Sequence, residues 1–298
     1  MPDNAIALAD LGLALKETGD LPNAILTLQR AVAISPGLER AQYALGIALK
    51  MQGQPAEAAA QIRDVRQAHQ ARVALAQSRK LIADGVELGK GGDWQQALAR
   101  FEEAAHASPS MPVSYHYIGM AREQLGHRSE AAESYRKATE LKPDYPEPHI
   151  SLGVLYAREG KNDEALQELR TAVLSDSDPT EAHYNLGLLL SIMGKLEEAM
   201  SELSQSILLN PNFLDARMLL GNLLAQTNQT ERAVYEYTEV IRRAPSFTEA
   251  HNNLGLIWLQ INQVPKAITE FQEAIRQKPG YAAAYYNLGL ALQKAGRT

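Results

Sequence analysis

The 298-residue sequence predicts an all-α chain built from tandem antiparallel helix hairpins. Small residues recur in a fixed register, bulky apolar residues recur at set distances from them, and prolines follow most of the resulting units. Hydrophobic residues make up 45% of the chain and aromatic residues only 6%, which suits many small contacts between helices better than one thick core.

Glycines set the register of the repeat. Their interval is 34 residues throughout, except between Gly46 and Gly85, where it is 39. The nine glycines are Gly12, Gly46, Gly85, Gly119, Gly153, Gly187, Gly221, Gly255 and Gly289. An alanine stands twelve residues after each of the first eight, at Ala24, Ala58, Ala97, Ala131, Ala165, Ala199, Ala233 and Ala267. Small residues at both positions allow the two helices of a hairpin to approach closely.

Apolar residues, turns and prolines complete each unit. Leu or Ile precedes eight of the nine glycines as a core position, and a bulky residue four positions after each alanine fills the gap between neighbouring hairpins. Between the two helices, the turn carries a residue that tolerates the left-handed conformation: Gly19, Gly53, Gly92, Gly126, Gly160, Gly194, Gly296, Asn228 or Asn262. Prolines such as Pro143 and Pro245 then stop the second helix.

Because these positions agree along the whole chain, the sequence resembles the tetratricopeptide repeat (TPR) family, with eight full repeats and a ninth first helix. The resemblance implies a right-handed α-solenoid, a superhelix whose concave wall is formed by the first helices. Repeats 1 and 2 then occupy residues 1–72, repeats 3 to 8 occupy 78–281, and the first helix of a truncated ninth repeat occupies 282–298.

Residues 73–77 form an insertion that breaks the register. Neither proline nor glycine lies between Pro55 and Gly85, so we expect the insertion to belong to one long helix over about 55–89. A hidden turn near His69, followed by an ordinary loop, is the alternative. Asp84 occupies a position that is Leu or Ile in the other units, and a carboxylate buried there would need a partner.

Charge and motif content argue against most other classes of function. The 29 basic and 35 acidic residues give a net charge of −6, which disfavours nucleic acid and anionic membranes as partners. The chain contains no cysteine and no phosphate-loop, metalloprotease or nucleophilic-serine motif, so we predict no enzyme, no cofactor and no metal site. Neither a signal peptide nor a membrane-spanning stretch is evident, which predicts a soluble chain, cytoplasmic by default, with export after processing left open.

The first helices of the later repeats carry amides and tyrosines at positions expected to face the concave groove. These candidate partner-binding residues are His116, Tyr117, Tyr184, Asn185, Asn222, Asn252, Asn253, Tyr286 and Asn287. Amides can bind a peptide backbone without reading its side chains. Because Asn before Leu-Gly is common in TPR sequences, a packing role is the alternative. His149, His183 and His251 share another repeat position, where packing explains them better than metal binding does.

An acidic row is formed by Glu147, Glu181, Asp215 and Glu249, which lie in the first turns of four successive first helices. Carboxylates at these positions favour the helix dipole. Attraction of a basic peptide is the functional alternative.

These features predict a non-catalytic scaffold that binds a peptide or partner segment in the concave groove. One alternative is a self-assembling subunit with end-to-end contacts through Leu288, Leu290 and Leu292, which would lack the second helix of their repeat. Another is the regulatory arm of a larger enzyme, since both ends of the sequence look cut. The identity of a partner does not follow from the sequence.

Overall fold

The computed structural model describes residues 4–296, which form sixteen α-helices and no strand. The helices are α1 (Ala5–Glu17), α2 (Leu21–Ile34), α3 (Glu39–Met51), α4 (Pro55–Lys90), α5 (Trp94–Ala107), α6 (Pro112–Gln124), α7 (Arg128–Leu141), α8 (Pro146–Arg158), α9 (Asn162–Ser175), α10 (Thr180–Ile192), α11 (Leu196–Leu209), α12 (Leu214–Gln226), α13 (Thr230–Arg243), α14 (Thr248–Gln260), α15 (Val264–Gln277) and α16 (Ala282–Lys294). The predicted all-α fold of tandem helix hairpins is confirmed.

Each hairpin is held by a contact between the glycine of its first helix and the bulky residue of its second. A Cβ atom added to Gly255 in α14 would lie 2.6 Å from Cε1 of Phe271 in α15, whose side chain is fully buried. The pairs Gly119 with Tyr135 and Gly187 with Leu203 repeat this contact in other hairpins. Only glycine leaves enough room there, so the bulky residues fill space within their own hairpin.

The predicted turns and helix ends are confirmed. Asn228 and Asn262 have φ values of 57° and 62°, and the seven glycines predicted at the other turns also have positive φ. Second helices end two residues before their proline, as α15 does at Gln277 before Pro279. The prolines therefore mark helix ends because the residue before a proline disfavours helical conformation.

The helix α4 is continuous over 36 residues, and no turn interrupts it near His69. It lies against α3 and against α5 in turn. The Oγ atom of Ser78 donates a hydrogen bond of 2.8 Å to the carbonyl of Ala104, which joins α4 to α5. Every side chain of residues 66–73 is exposed, although Arg72 still forms an ion pair of 2.8 Å with Glu39 of α3.

Asp84 is not buried at this repeat position. Its side chain is exposed, whereas Ile82, Gly85 and Gly89 are buried on the opposite face of α4. That opposite face contacts α5, since a Cβ on Gly85 would lie 2.5 Å from the ring of Phe101. The carboxylate therefore needs no partner.

Packing divides the chain into two compact units, the first ending at Ser114 and the second beginning at Tyr115. The boundary lies within α6 and not at the insertion at 73–77. In the first unit, small and apolar residues from Ala9 to Ala58 form a buried core between α1, α2, α3 and the start of α4. In the second, a longer buried core runs from Ile150 in α8 to Ile257 in α14.

Candidate partner-binding groove

A groove follows the line where the first helices α8 and α10 lie side by side in the second unit; we call it the α8–α10 groove. Its acidic end is a cavity of about 430 Å³ lined by Glu147, Asp176, Asp178 and Glu181 together with apolar Ile150 and Phe213. A neighbouring cavity of about 320 Å³ shares Glu147, Ile150 and Glu181 and extends to α6. This end of the groove therefore combines carboxylates with apolar side chains.

The other end of the α8–α10 groove is apolar. Later turns of the same two helices form a pocket of about 270 Å³, whose apolar lining includes Val154, Leu188, Leu189 and Ile192 and whose one charged lining residue is Arg158. Ile192 is 67% exposed, although its neighbour Leu189 is buried. The pocket also contains Asn185, one of the predicted binding residues. An apolar side chain of a partner would find van der Waals contacts here that water does not supply.

The negative charge of the acidic row is not neutralised by ion pairs within residues 4–296. Glu147, Glu181, Asp215 and Glu249 are all exposed, and none has an ion-pair partner within residues 4–296. The helices α8, α10, α12 and α14 contain only two cationic side chains besides histidines. These are Arg158, which binds Glu123 at 2.6 Å, and Arg217, which binds Glu236 at 2.6 Å. The acidic row therefore presents uncompensated charge to solvent.

His116 closes the α6 side of the groove as a buried neutral side chain. Burial lowers its pKa to about 4, so the ring carries no charge at neutral pH. The hydroxyl of Tyr145 lies 3.3 Å from Nδ1 of His116, and the two rings meet edge to face. Tyr117 lies beside it, with ring centroids 5.7 Å apart. His116 is thus a wall of the cavity and not a cationic contact.

The predicted amides of the later repeats mostly bind one another. Asn287 donates to Asn252 at 2.8 Å, and Asn253 donates to Asn222 at 2.9 Å. Asn252 also donates to Asn253 at 3.2 Å, which links the two pairs into one chain across α12, α14 and α16. The hydroxyl of Tyr237 donates to the oxygen of Asn222 at 2.8 Å, and burial raises the pKa of Tyr237 to about 12.

This amide chain ties successive first helices together, and Asn252 and Asn287 are buried. Asn185 is different, because its amide donates only to the carbonyl of Glu181 in its own helix, at 2.9 Å. Asn185 therefore lies at the α8–α10 groove with its carbonyl oxygen available. Tyr184 packs against Phe213 with ring centroids 4.8 Å apart, whereas Tyr286 is 69% exposed on α16.

The recurring histidines belong to a series of side-chain pairs that we call the histidine ladder. In each of four hairpins, a histidine or an arginine of the first helix contacts a glutamate nineteen residues later, in the second helix. The pairs are His149 with Glu168 at 2.6 Å, His183 with Glu202 at 2.6 Å, Arg217 with Glu236 at 2.6 Å and His251 with Glu270 at 2.7 Å. The sequence contained this 19-residue spacing, but only the structure brings the partners together.

At three of its four positions, His149, Arg217 and His251, the ladder also joins the hairpin to the turn before it. Nε2 of His149 and of His251 lie 2.9 and 3.1 Å from the carbonyls of Pro143 and Pro245, six residues earlier. Burial lowers the pKa of each histidine, but the hydrogen bonds to the glutamate and to this carbonyl outweigh burial, so both pKa values are raised. The histidines for which packing was predicted therefore connect the two helices of their hairpin through a side-chain contact with a glutamate.

The residues predicted for end-to-end contact lie on α16. Leu288 packs against a small core that contains Ala267, Phe271 and Ala291, and Leu290 is exposed. Leu292 is half-buried. Within residues 4–296, no helix is both long and apolar enough to cross a membrane, and no three potential metal ligands come together.

The chain matches known families and structures at the level of the repeat. Residues 12–53, 124–160 and 257–296 match a family model described as TPR repeat, and residues 180–213 match one described as tetratricopeptide repeat. Together these matches cover about half of the chain. No curated protein sequence matches it significantly.

Three solved structures illustrate the similarity of fold. PilF of Pseudomonas aeruginosa is 18% identical with a TM-score of 0.65, over 72% of this chain and 98% of PilF. YrrB, described as a TPR protein with an unusual peptide-binding site, is 22% identical with a TM-score of 0.54, over 62% of this chain and 96% of YrrB. MamA is 25% identical with a TM-score of 0.52, over 55% of this chain and 96% of MamA.

The repeat register, the helix hairpins and these matches lead to the same conclusion: the chain belongs to the tetratricopeptide repeat family.

Proposed function

We propose that the protein is a non-catalytic scaffold that binds a segment of a protein partner in the α8–α10 groove. One observation carries the proposal: the groove combines an uncovered apolar pocket with polar groups that have no partner of their own. Ile192 is 67% exposed at the pocket, and Glu147 and Glu181 are exposed and form no ion pair with any residue that the structure describes. Such a combination fixes a ligand by burying its apolar side chains and orients it by polar contacts.

The amide chain of α12, α14 and α16 does not offer a comparable binding surface. Asn252 and Asn287 satisfy each other and are buried, so they contribute to stacking of the first helices. The proposal therefore moves the binding site from the last repeats to the middle of the second unit, where Asn185 remains a member of it. The solved TPR structure of YrrB, described as peptide-binding, gives a precedent for a ligand of this kind on the fold.

Selection from a library of random twelve-residue peptides on the immobilised protein tests the proposal. The variant Leu188→Gln with Ile192→Gln removes the apolar end of the groove while adding no charge. The matched control is Leu174→Gln with Leu208→Gln, two leucines that are 87% and 72% exposed on second helices. Circular dichroism and thermal unfolding check that both variants are folded.

We expect the selected peptides to bind the native and control proteins alike and the groove variant at least about tenfold more weakly, as loss of a central apolar anchor does elsewhere. Peptides that bind all three proteins equally, or a library from which nothing is enriched, would contradict the proposal.

A further inference from the structure

The α8–α10 groove has two chemically different ends, and their separation defines what fits. Glu181 and Ile192 lie eleven residues apart on α10, which at 1.5 Å per residue is about 16 Å. An extended peptide advances about 3.3 Å per residue, so roughly five residues span the distance. One end of that segment would meet carboxylates, and the other would meet the apolar pocket.

The charge at the acidic end favours a cationic ligand. Glu147 and Glu181 come from adjacent first helices and line the same two cavities. Asp215 and Glu249 extend the row along α12 and α14. The cations that could neutralise it, Arg158 and Arg217, are already bound to Glu123 and Glu236. An anionic ligand would be repelled by the four carboxylates that line this end of the groove.

Resting on the proposed function, we infer that the partner segment is basic and amphipathic. It carries Lys or Arg at one end, bound by Glu147 and Glu181, and an apolar side chain about five residues away, bound between Val154, Leu188 and Ile192. The carboxylates increase the rate of encounter and fix the register, while the apolar pocket supplies the affinity.

Fluorescence anisotropy with three labelled peptides tests this inference. The first carries a Lys-Arg pair and a Leu-Leu pair separated by four small polar residues, and a second has the same residues in reverse order. The third has Glu-Glu in place of Lys-Arg. Each is measured against the native protein, against Glu147→Gln with Glu181→Gln, and against a matched control, Glu197→Gln with Glu231→Gln. The control residues are exposed glutamates in the first turns of α11 and α13.

We expect at least one basic peptide to bind the native protein about tenfold more tightly than the Glu peptide at low salt. The Glu147→Gln, Glu181→Gln variant should weaken that binding about fivefold, since individual exposed ion pairs contribute little, and should flatten its salt dependence. The control variant should leave both unchanged.

Equal binding of the basic peptide to the native protein and to the Glu147→Gln, Glu181→Gln variant would overturn the inference. So would library peptides that depend on Leu188 and Ile192 but are acidic or uncharged, and in that case binding in the groove would stand. If no peptide depends on Leu188 and Ile192, the proposed function itself fails.

Discussion

At the residue scale, one contact decides how closely the helices of a hairpin approach. Gly255 faces the ring of Phe271, and an added Cβ would lie within 3.0 Å of three ring atoms. Gly289 holds the same repeat position in α16, yet among residues 4–296 no neighbouring atom lies within 4 Å of a Cβ added there. The same substitution should therefore have opposite effects at the two sites.

We predict that Gly255→Ala destabilises the protein and that Gly289→Ala does not. Overpacking costs about 1–3 kcal/mol in a core, which exceeds the gain of about 1 kcal/mol from replacing a helical glycine by alanine. At Gly289 only the gain remains. Urea unfolding followed by circular dichroism measures both, and equal effects of the two substitutions would refute this account of the glycine register.

A second residue-scale prediction concerns pH and the histidine ladder. The pKa values of His149 and His251 are raised in the folded state. A raised pKa stabilises the fold fully below the usual histidine pKa of 6.5, and that contribution disappears as pH rises through the folded value. Thermal unfolding should therefore show stability of the second unit falling from pH 6 towards alkaline pH, other groups aside.

The chain contains its own control for this effect. Arg217 holds the equivalent position and binds both Glu236 and the carbonyl of Pro211, and arginine side chains as a class stay charged over this pH range. Replacing His149 and His251 by Arg should preserve the ion pairs and reduce the fall in stability above pH 6.5. An unchanged pH profile in that double variant would show that other groups cause the dependence.

At the element scale, the amide chain connects first helices of successive repeats. Asn287→Ala should lower stability by about 1–3 kcal/mol, because the buried Asn252 loses the donor to its oxygen. Asn185→Ala removes only a bond within its own helix and should change stability by less than about 0.5 kcal/mol. Hydrogen exchange in α14 and α16 measures the first effect locally, and equal protection in both variants would contradict it.

A further element-scale prediction concerns the middle of α4. Residues 66–73 have every side chain exposed, whereas Ile82, Gly85 and Gly89 are buried against α5. Helical hydrogen bonds without side-chain burial open readily. Hydrogen exchange should therefore be faster at 66–73 than at 80–90, and trypsin should cleave first after Arg66 or Arg72. Slower exchange at 66–73 than at 80–90 would show that something covers this segment.

The sequence predicted the hairpins because the residues that specify them act over short distances. Glycine and alanine determine how closely two consecutive helices approach, and proline determines where the second helix ends. It predicted the turns down to Asn228 and Asn262 for the same reason. It did not decide whether Asp84 is buried, because the face of α4 that meets α5 depends on tertiary packing. It could not separate Asn185, at a groove, from Asn252 and Asn287, which bind each other, since all three occur in similar local sequence.

At the scale of the whole molecule, the two units differ in length, since the first ends at Ser114 and the second begins at Tyr115, and their largest buried clusters differ in extent. One buried cluster of the first unit joins residues from Ala9 to Ala58, whereas one of the second runs through three hairpins and into α14, from Ile150 to Ile257. Stability in a repeat array grows with the number of neighbouring repeats that fold together. The second unit should therefore resist denaturant better than the first.

The two tryptophans of the chain allow this to be measured separately, since Trp94 lies in the first unit and Trp258 in the second. In Trp258→Phe the remaining fluorescence follows the first unit, and in Trp94→Phe it follows the second. We expect the urea midpoint reported by Trp258 to be higher than that reported by Trp94. Coincident midpoints would show that the chain unfolds as one cooperative body.

Because α4 is uninterrupted, the distance between two sites near its ends can be used to measure how straight the helix is. Glu57 and Glu87 are exposed near its two ends, thirty residues apart, a separation of about 45 Å along a straight helix. Because the natural chain contains no cysteine, two engineered cysteines at these sites would be the sole points of attachment for paired spin labels. The measured distance distribution would then report directly how far the helix bends in solution.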